Sequence, residues 1–347
     1  MTLENFLKLK NVFLASPAAL GLDIGDFSVK LAQIKKGRFS KNRLLSFALA
    51  PIKDNKSPDN VIGAIKQAYE DLSTDLKSVN TSICGPNIIT RYIILPVMRR
   101  GDLYKSLEFE LERYIPYKRE DTVVDCRILA RLPNNKMIVL LVAVERRLIH
   151  ERVSLIKSAG LELQSINVDT LALSETFRAL FTRPRGVVAL LDIGYKITKL
   201  VVIQDGIPYF SREIQTGEHN IIQIVSEKMG IDLDKARDLV HNPTDKSDEV
   251  VKIIKSELHS LLLDDLLLSF EYCERDLEKK VELMYLTGGG SRNKILLESL
   301  GKIPDLKIAP LEPLQNFKIS SSRSEKELEE FAPLLTVAIG LALGGTF

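Results

Sequence analysis

Along the first half of the chain, the spacing of apolar positions switches several times between the alternation typical of strands and the three-to-four-residue spacing typical of helices. Residues 18–50 alternate between apolar and polar side chains, which is typical of half-buried strands. Val61, Ile65 and Ala68 instead recur at helical spacing, and Pro58 suits the first turn of that helix. The predicted elements are strands within 18–50, a helix at 57–72, strands within 79–95, a helix from Asp102 that ends before Pro116, strands at 123–131 and 137–144, and a helix at 145–159.

The second half, which starts near Gly186 after a Pro184-Arg185 break, is helical in its middle. Helices are predicted at 218–229, 232–241 and 247–278, followed by a strand at 282–286. The apolar stretch after Phe331 is shorter than the ~20 residues that a membrane span requires. It also contains Pro333, Gly340, Gly344 and Gly345. We therefore expect it to be a buried helix of the second lobe.

One motif occurs in both halves. Asp23, Gly25, Lys30 and Gly37 have counterparts at Asp192, Gly194, Lys199 and Gly206, each 169 residues further along the chain. Each copy is an apolar strand, a glycine turn and a second strand, which predicts a hairpin. A hairpin repeated in two halves implies two similar domains that face each other, with a ligand cleft between them.

The motif suits a phosphate ligand. Gly25 and Gly194 can adopt a positive φ and carry no Cβ, so backbone N–H groups at the hairpin tips can approach an anion. Asp23 and Asp192 stand just before each turn, where a carboxylate suits a hydrated Mg²⁺. A single D-x-G is weak evidence, and the matched pair is what favours a phosphate site. Lysines on the second strand are ordinarily solvated.

A third element is compatible with the same ligand. The predicted strand at 282–286 is followed by Gly288, Gly289 and Gly290, after which a helix begins near Ser291. Glycines between a strand and a helix allow the backbone to pass close to a phosphate or a flat ring. The alternative is a plain tight turn.

Composition excludes several classes of function. The chain has 347 residues, enough for two lobes, and its 48 basic and 46 acidic residues give no electrostatic case for nucleic acid. Three scattered cysteines fit no metal spacing and indicate a reducing compartment. The four histidines match no zinc or triad pattern, and we expect surface or packing roles for them. Residues 1–17 form a predicted N-terminal arm, with a short membrane-surface helix as the alternative.

Two D-x-G hairpins followed by a late triple-glycine turn resemble the actin-like ATPase superfamily. The resemblance implies an α/β, two-lobed actin-like ATPase fold with duplicated RNase H-like lobes, a small α/β insert in the first lobe, and ATP or ADP with Mg²⁺ as cofactors. The tips differ from the small or hydroxyl residues usual in that superfamily. The implied cofactor-binding residues are Asp23, Gly25, Asp26, Phe27, Ser28, Lys30, Asp192, Gly194, Tyr195, Lys196, Thr198, Gly288, Gly289, Gly290 and Arg292, with Asp23 and Asp192 near the metal.

A narrower resemblance, over roughly residues 18–347, is to the PilM family of type IV pilus assembly. The segments that carry it are 107–117, 121–125 and 331–345, and the Tyr-Ile-Pro part of the first is the most specific. The resemblance implies a cytoplasmic scaffold, peripheral to the inner membrane, that binds the short cytoplasmic peptide of a PilN-like inner-membrane protein. In the family, that peptide lies in a groove between the first lobe and its insert. The candidate peptide-binding residues are Leu95, Pro96, Tyr114, Ile115 and Pro116.

The predicted domains follow from the repeat and this resemblance. Lobe 1 spans 18–185 with an insert at about 89–168, and lobe 2 spans 186–347 with a helical subdomain at about 216–280. No catalytic residue is evident, so at most a weak ATPase is expected. An actin-fold small-molecule kinase remains an alternative, although it needs an aspartate base that the sequence does not reveal. An FtsA-like filament protein and a secretion-system cytoplasmic domain are further alternatives.

Overall fold

The computed structural model describes residues 18–37, 40–53, 57–114, 119–182, 184–241, 247–321 and 324–344. The predicted N-terminal arm lies outside these residues. Ile115, Pro116 and the side chain of Tyr114, from the predicted peptide-binding segment, also lie outside the described part.

The strands and helices of the described chain follow nearly the predicted order. The strands are β1 (Ala18–Ile24), β2 (Ser28–Lys35), β3 (Arg43–Pro51), β4 (Ser78–Ile83), β5 (Ile88–Pro96), β6 (Thr122–Leu132), β7 (Lys136–Glu145), β8 (Glu162–Val168), β9 (Val187–Ile193), β10 (Thr198–Gln204), β11 (Ile207–Ile214), β12 (Leu283–Thr287), β13 (Lys307–Pro310) and β14 (Lys318–Ile319). The helices are α1 (Pro58–Leu72), α2 (Arg100–Tyr114), α3 (Arg146–Ser158), α4 (Asp169–Leu180), α5 (Glu218–Met229), α6 (Leu233–His241), α7 (Ser247–Leu258), α8 (Asp264–Leu277), α9 (Lys294–Leu300), α10 (Glu325–Phe331) and α11 (Thr336–Leu343).

The first half supplies five strands of a six-stranded sheet of order β14-β3-β2-β1-β4-β8, and β14 at its edge comes from the second half. Its centre is the antiparallel hairpin β1–β2, in which Asp23 lies opposite Lys30. Helix α1 covers one face of this sheet and buries Val61 and Ile65. The Ser57 hydroxyl accepts a hydrogen bond from the Asn60 N–H (3.3 Å), which caps the helix where the sequence predicts its start.

The second half repeats this plan in a five-stranded sheet of order β11-β10-β9-β12-β13. Hairpin β9–β10 places Asp192 opposite Lys199, matching the register of the first hairpin. In each sheet the first hairpin strand also pairs with a later parallel strand, β4 or β12. The predicted two-lobed actin-like α/β fold is therefore confirmed.

A third sheet, of order β5-β7-β6, is formed within the first half by the segment between β4 and β8. Helix α2 packs on it through Leu103 and Leu107, which join Met137, Val139 and Leu141 in a small separate core. The predicted insert of about 89–168 also included β8, but β8 pairs with β4 of the six-stranded sheet. The domain boundaries themselves stay a prediction.

Helix α11 was predicted to be a buried helix of the second lobe, but it packs against elements of the first half of the molecule. A Cβ on Gly21 of β1 would lie 2.7 Å from the Ala342 nitrogen, and Gly340 meets α4 equally closely. Together α4 and α11 form a core shared by both sheets. The sequence prediction was wrong here because α11 is apolar on every face, so no polar side marks its partner. Across the described part of the chain, no helix is both long and apolar enough to cross a bilayer.

Candidate functional site

A cavity of about 470 Å³ lies between the tips of the two repeated hairpins. Gly25, Gly194 and Gly289 all line it, as the repeat predicts. The sequence-predicted residues that line it are Asp23, Gly25, Asp26, Phe27, Ser28, Lys30, Asp192, Gly194, Tyr195, Gly288, Gly289 and Arg292. Lys196, Thr198 and Gly290 do not. The Lys196 side chain is exposed, while the Thr198 hydroxyl donates to the Thr216 carbonyl (2.7 Å).

Lysines neutralise the carboxylates on the cavity floor. Lys30 Nζ lies 3.2 Å from Asp23. Lys199 Nζ lies 3.1 Å from Asp192 and 2.9 Å from Asp169, the first residue of α4. The expectation of solvated lysines is therefore wrong, because cross-strand pairing points both inward onto the aspartates. Among the described residues, no group of three or more His, Cys, Asp or Glu side chains could hold a metal ion.

These ion pairs set the charge state of the floor. Burial alone would raise the pKa of Asp169, but the Lys199 ammonium and a Ser82 hydrogen bond outweigh it and lower the pKa to about 2. Burial alone would lower the pKa of Lys199, yet Asp169 and Asp192 raise it well above its ordinary value. For Asp23, burial dominates and raises the pKa, with Lys30 acting in the opposite direction. The floor therefore combines fixed charges of both signs with no net excess of cations.

The glycines at the two tips are needed for close packing and not for a positive φ. Neither Gly25 nor Gly194 has one. A Cβ at Gly25 would lie 2.6 Å from Lys30 Nζ, and a Cβ at Gly194 would lie 2.6 Å from the Ile197 carbonyl. Their own N–H groups close the turns by donating to Ser28 and Ile197 carbonyls, both at 3.1 Å. Donors to a ligand would have to come from other tip residues.

The triple-glycine turn packs against the end of β9. Gly288 has φ +84°, and a Cβ there would overlap the Asp192 carboxylate and lie 2.6 Å from the Ile193 carbonyl. Gly290 is held against the Ile193 side chain in the same way. At Gly289 a Cβ would make only ordinary contacts, 3.5 Å from Leu334. The turn is thus both a tight packing element and, at Gly289, an open wall of the cavity.

Aromatic side chains from the two tips meet across the mouth of the cavity. The ring centroids of Phe27 and Tyr195 are 5.1 Å apart, and His219 continues the row 4.9 Å beyond Tyr195. The Arg237 guanidinium lies 5.9 Å from the Phe27 ring centroid. The bulky tips therefore connect the two hairpins to each other.

Several lining residues gave no clear signal in the sequence. Asp169 is one; its only signal was an acid directly after a strand and at the start of a helix. Glu218 and His241 are others, and they form a pair at 3.2 Å. The Glu218 hydrogen bond raises the pKa of His241. His241 thus belongs to the cavity wall, where the sequence suggested only a surface or packing role.

A second cavity, of about 230 Å³, lies between the third sheet and the six-stranded sheet. Its walls come from β6, β7, β4 and β8, with Tyr104 of α2 and Ile149 of α3. Most of its lining is apolar, and Asp125, Arg127 and Asn167 add polar groups. The predicted peptide-binding residues Leu95 and Pro96 do not line it. Leu95 packs partly buried in the core of the third sheet, and Pro96 is exposed at the end of β5.

Comparisons with known proteins agree with this architecture. The family model described as type IV pilus assembly protein PilM matches residues 21–346. A solved structure titled PilM-PilN type IV pilus biogenesis complex is similar at 24% identity, covering 94% of this chain and 97% of that chain, with a TM-score of 0.83. The ethanolamine utilization protein EutJ from Carboxydothermus hydrogenoformans shares 13% identity over 96% of this chain and 91% of its own, with a TM-score of 0.55. A diol dehydratase-reactivating factor in nucleotide-free form shares 9% identity over 94% and 99%, with a TM-score of 0.54. Likeness at these identities concerns the fold.

Proposed function

Since the family model matches nearly its whole length, the chain belongs to the PilM family of type IV pilus assembly proteins, and we propose that it is a cytoplasmic scaffold of that assembly. It binds an adenine nucleotide in the cleft between the hairpins. It binds the short cytoplasmic peptide of a PilN-like inner-membrane protein in the second cavity, which brings it to the membrane. The observation that carries the proposal is the presence of two separate cavities, one suited to a nucleotide and one to an extended peptide.

The first cavity fits a nucleotide in size and chemistry. Ligand pockets span roughly 300–1,000 Å³, and this one is about 470 Å³. Lys30 and Lys199 face the cavity from within their ion pairs, and Gly289 leaves space for a flat ring near the exposed Arg292. Apolar side chains such as Val240 and Leu334 also line the cavity. A base and a phosphate chain would therefore each meet suitable surroundings.

Direct Mg²⁺ ligation by the floor carboxylates is not favoured. Asp23 and Asp192 each already face an ammonium group at about 3 Å. A metal ion would therefore have to enter with the phosphates. We expect nucleotide binding to persist in EDTA.

The buried acid Asp169 of the cleft floor is poorly suited to act as a general base for phosphoryl transfer. Asp169 is the acid that the kinase alternative required, but its pKa of about 2 lies far below a working pH, and Lys199 occupies it. The structure therefore gives no support to the kinase alternative. We propose weak hydrolysis or none.

The second cavity has the architecture of a groove for an extended peptide. β6 is the last strand of the third sheet and β8 is the last strand of the six-stranded sheet. Both contribute lining residues, Val123–Arg127 and Ile166–Val168. Edge strands can add a peptide strand through backbone hydrogen bonds while apolar pockets select its side chains. A volume of about 230 Å³ suits one or two apolar side chains of such a peptide.

The partner test uses the synthetic N-terminal tail of a PilN-like inner-membrane protein from the same organism. Ile166→Asp places a charge in the groove and should weaken binding by calorimetry at least tenfold, which is about 1.4 kcal/mol. Ile94→Asp is the matched control, because Ile94 is 46% exposed on the third sheet and does not line the groove. Equal tail affinity for both variants would reject the groove.

The nucleotide test measures the melting temperature with ATP, ADP and AMP, with Mg²⁺ or with EDTA. A ligand at 100 times its Kd stabilises the native state by about 2.7 kcal/mol. Gly289→Val should fill the cavity wall and remove this shift, whereas Gly63→Val, at a position with open space around its Cβ, should retain it. No shift of the wild-type protein with any adenine nucleotide would reject this part of the proposal.

A further inference from the structure

Arg152 is a cation with a buried donor atom, and it takes no part in the ion pairs of the cleft floor. Arg152 lies in the middle of α3, and its Nη1 atom is buried without a hydrogen-bond partner among the described residues. Buried charged groups are normally paired or hydrogen-bonded, because leaving one unsatisfied costs free energy. Arg152 therefore requires an explanation beyond packing.

The charges around Arg152 belong to the nucleotide cleft. Burial lowers the pKa of Arg152, and the groups that act against this are Cys84, Asp169, Asp23 and Asp26. All four line the first cavity. The influence is mutual, since Arg152 is one of the groups that lower the pKa of Asp169. The guanidinium therefore approaches the cleft floor from the side of α3.

The carboxylates nearest to this guanidinium are already engaged. Lys30 pairs with Asp23 and Lys199 pairs with Asp169. Arg152 does not itself line the cavity, so binding of a phosphate would require its long, flexible side chain to extend towards the floor. An arginine fork matches phosphate oxygens better than an ammonium does, because it presents parallel N–H donors.

We propose that Arg152 binds the terminal phosphate of a nucleotide in this cleft and so favours a triphosphate over a diphosphate. The inference rests on the proposed nucleotide function. The proposed binding residue lies on α3, outside the two hairpins and the triple-glycine turn. Nη1 has no hydrogen-bond partner among the described residues, and we expect a phosphate oxygen to accept its hydrogen bond.

The test compares the wild type with Arg152→Gln, Arg152→Lys and the control Arg147→Gln. Arg147 lies on the same helix, but its side chain is 62% exposed and pairs with Glu151. Calorimetry with ATP, ADP and AMP should show at least tenfold weaker ATP binding by R152Q, with ADP and AMP changed less than twofold. The ATP affinity of R152K should lie between those of the wild type and R152Q, and the ATP affinity of R147Q should match that of the wild type.

Without nucleotide, R152Q should be at least as stable as the wild type, since a buried unpaired charge has been removed. An unchanged ratio of ATP to ADP affinity in R152Q would overturn the inference and leave the nucleotide function intact. Loss of folding in both R152Q and R152K would overturn it in favour of a structural role. If the wild type binds no adenine nucleotide, the proposed nucleotide function fails, and pyrophosphate then tests Arg152 alone. Pyrophosphate binding that R152Q loses would support the residue's role, and absent or equal binding would overturn it.

Discussion

Replacing Lys199 with Met should destabilise the protein by about 3–5 kcal/mol, the usual cost of removing one partner from a buried ion pair. Its ammonium holds Asp192 at 3.1 Å and Asp169 at 2.9 Å, and all three side chains are at most 11% exposed. At an effective dielectric constant of ~20, each pair at about 3 Å attracts by roughly 5 kcal/mol before desolvation. Because Asp169 belongs to α4 and Lys199 to the second sheet, the loss also removes a tether between the two halves.

The pH dependence of this loss has a defined sign. Because the pKa of Asp169 is lowered in the folded state, its ionised carboxylate stabilises the wild type at pH values above 3.8, the ordinary pKa of the group. This contribution disappears as the pH falls towards 2. The difference between K199M and the wild type should therefore be larger at pH 7 than at pH 3. Urea denaturation followed by circular dichroism measures both values.

Two comparisons make the measurement specific. Lys280→Met breaks a pair with Asp305 whose side chains are 66% and 76% exposed, so it should cost only about 0–1 kcal/mol. Adding Asp169→Asn and Asp192→Asn to K199M should recover part of the loss, because the buried charges are removed together. A K199M protein within about 1 kcal/mol of the wild type, or a loss that is the same at both pH values, would refute the role of burial assigned to this network.

Three further predictions, which use four substitutions, test the surrounding structure. Gly288→Ala should destabilise the protein by at least ~2 kcal/mol, because the residue has a positive φ and its Cβ would overlap a carboxylate. Gly289→Ala should cost less than about 1 kcal/mol, and parallel urea titrations compare the two variants. Burial raises the pKa of Glu213 to about 7, so the wild type should lose stability as the pH rises from 4.5 to 7. The melting temperature of Glu213→Gln should change less with pH across this range. Ser57→Ala should cost about 1 kcal/mol in a denaturant titration by removing the cap of α1, and no loss would show that the cap is dispensable.

Local sequence was sufficient to predict the repeated hairpins and most of the helices. A hairpin brings residues on its two strands into register through a short turn, so the same spacing in each copy gives the same pairing, Asp23 with Lys30 and Asp192 with Lys199. The capped helix α1 was equally predictable, since its serine, its proline and its apolar stripe all lie within one short segment. The convergence of the glycine elements followed from the repeat.

Only the tertiary structure decided which distant side chains complete the site. Asp169 comes from a helix whose local pattern does not identify it as part of the cleft, and it reaches Lys199 because α4 packs between the two sheets. Helix α11 was assigned to the wrong side because it is apolar all round. The groove between β6 and β8 exists because two edge strands from different sheets come to face each other. Periodicity encodes which face of an element is buried, whereas the identity of the surface that buries it depends on how all the elements pack together.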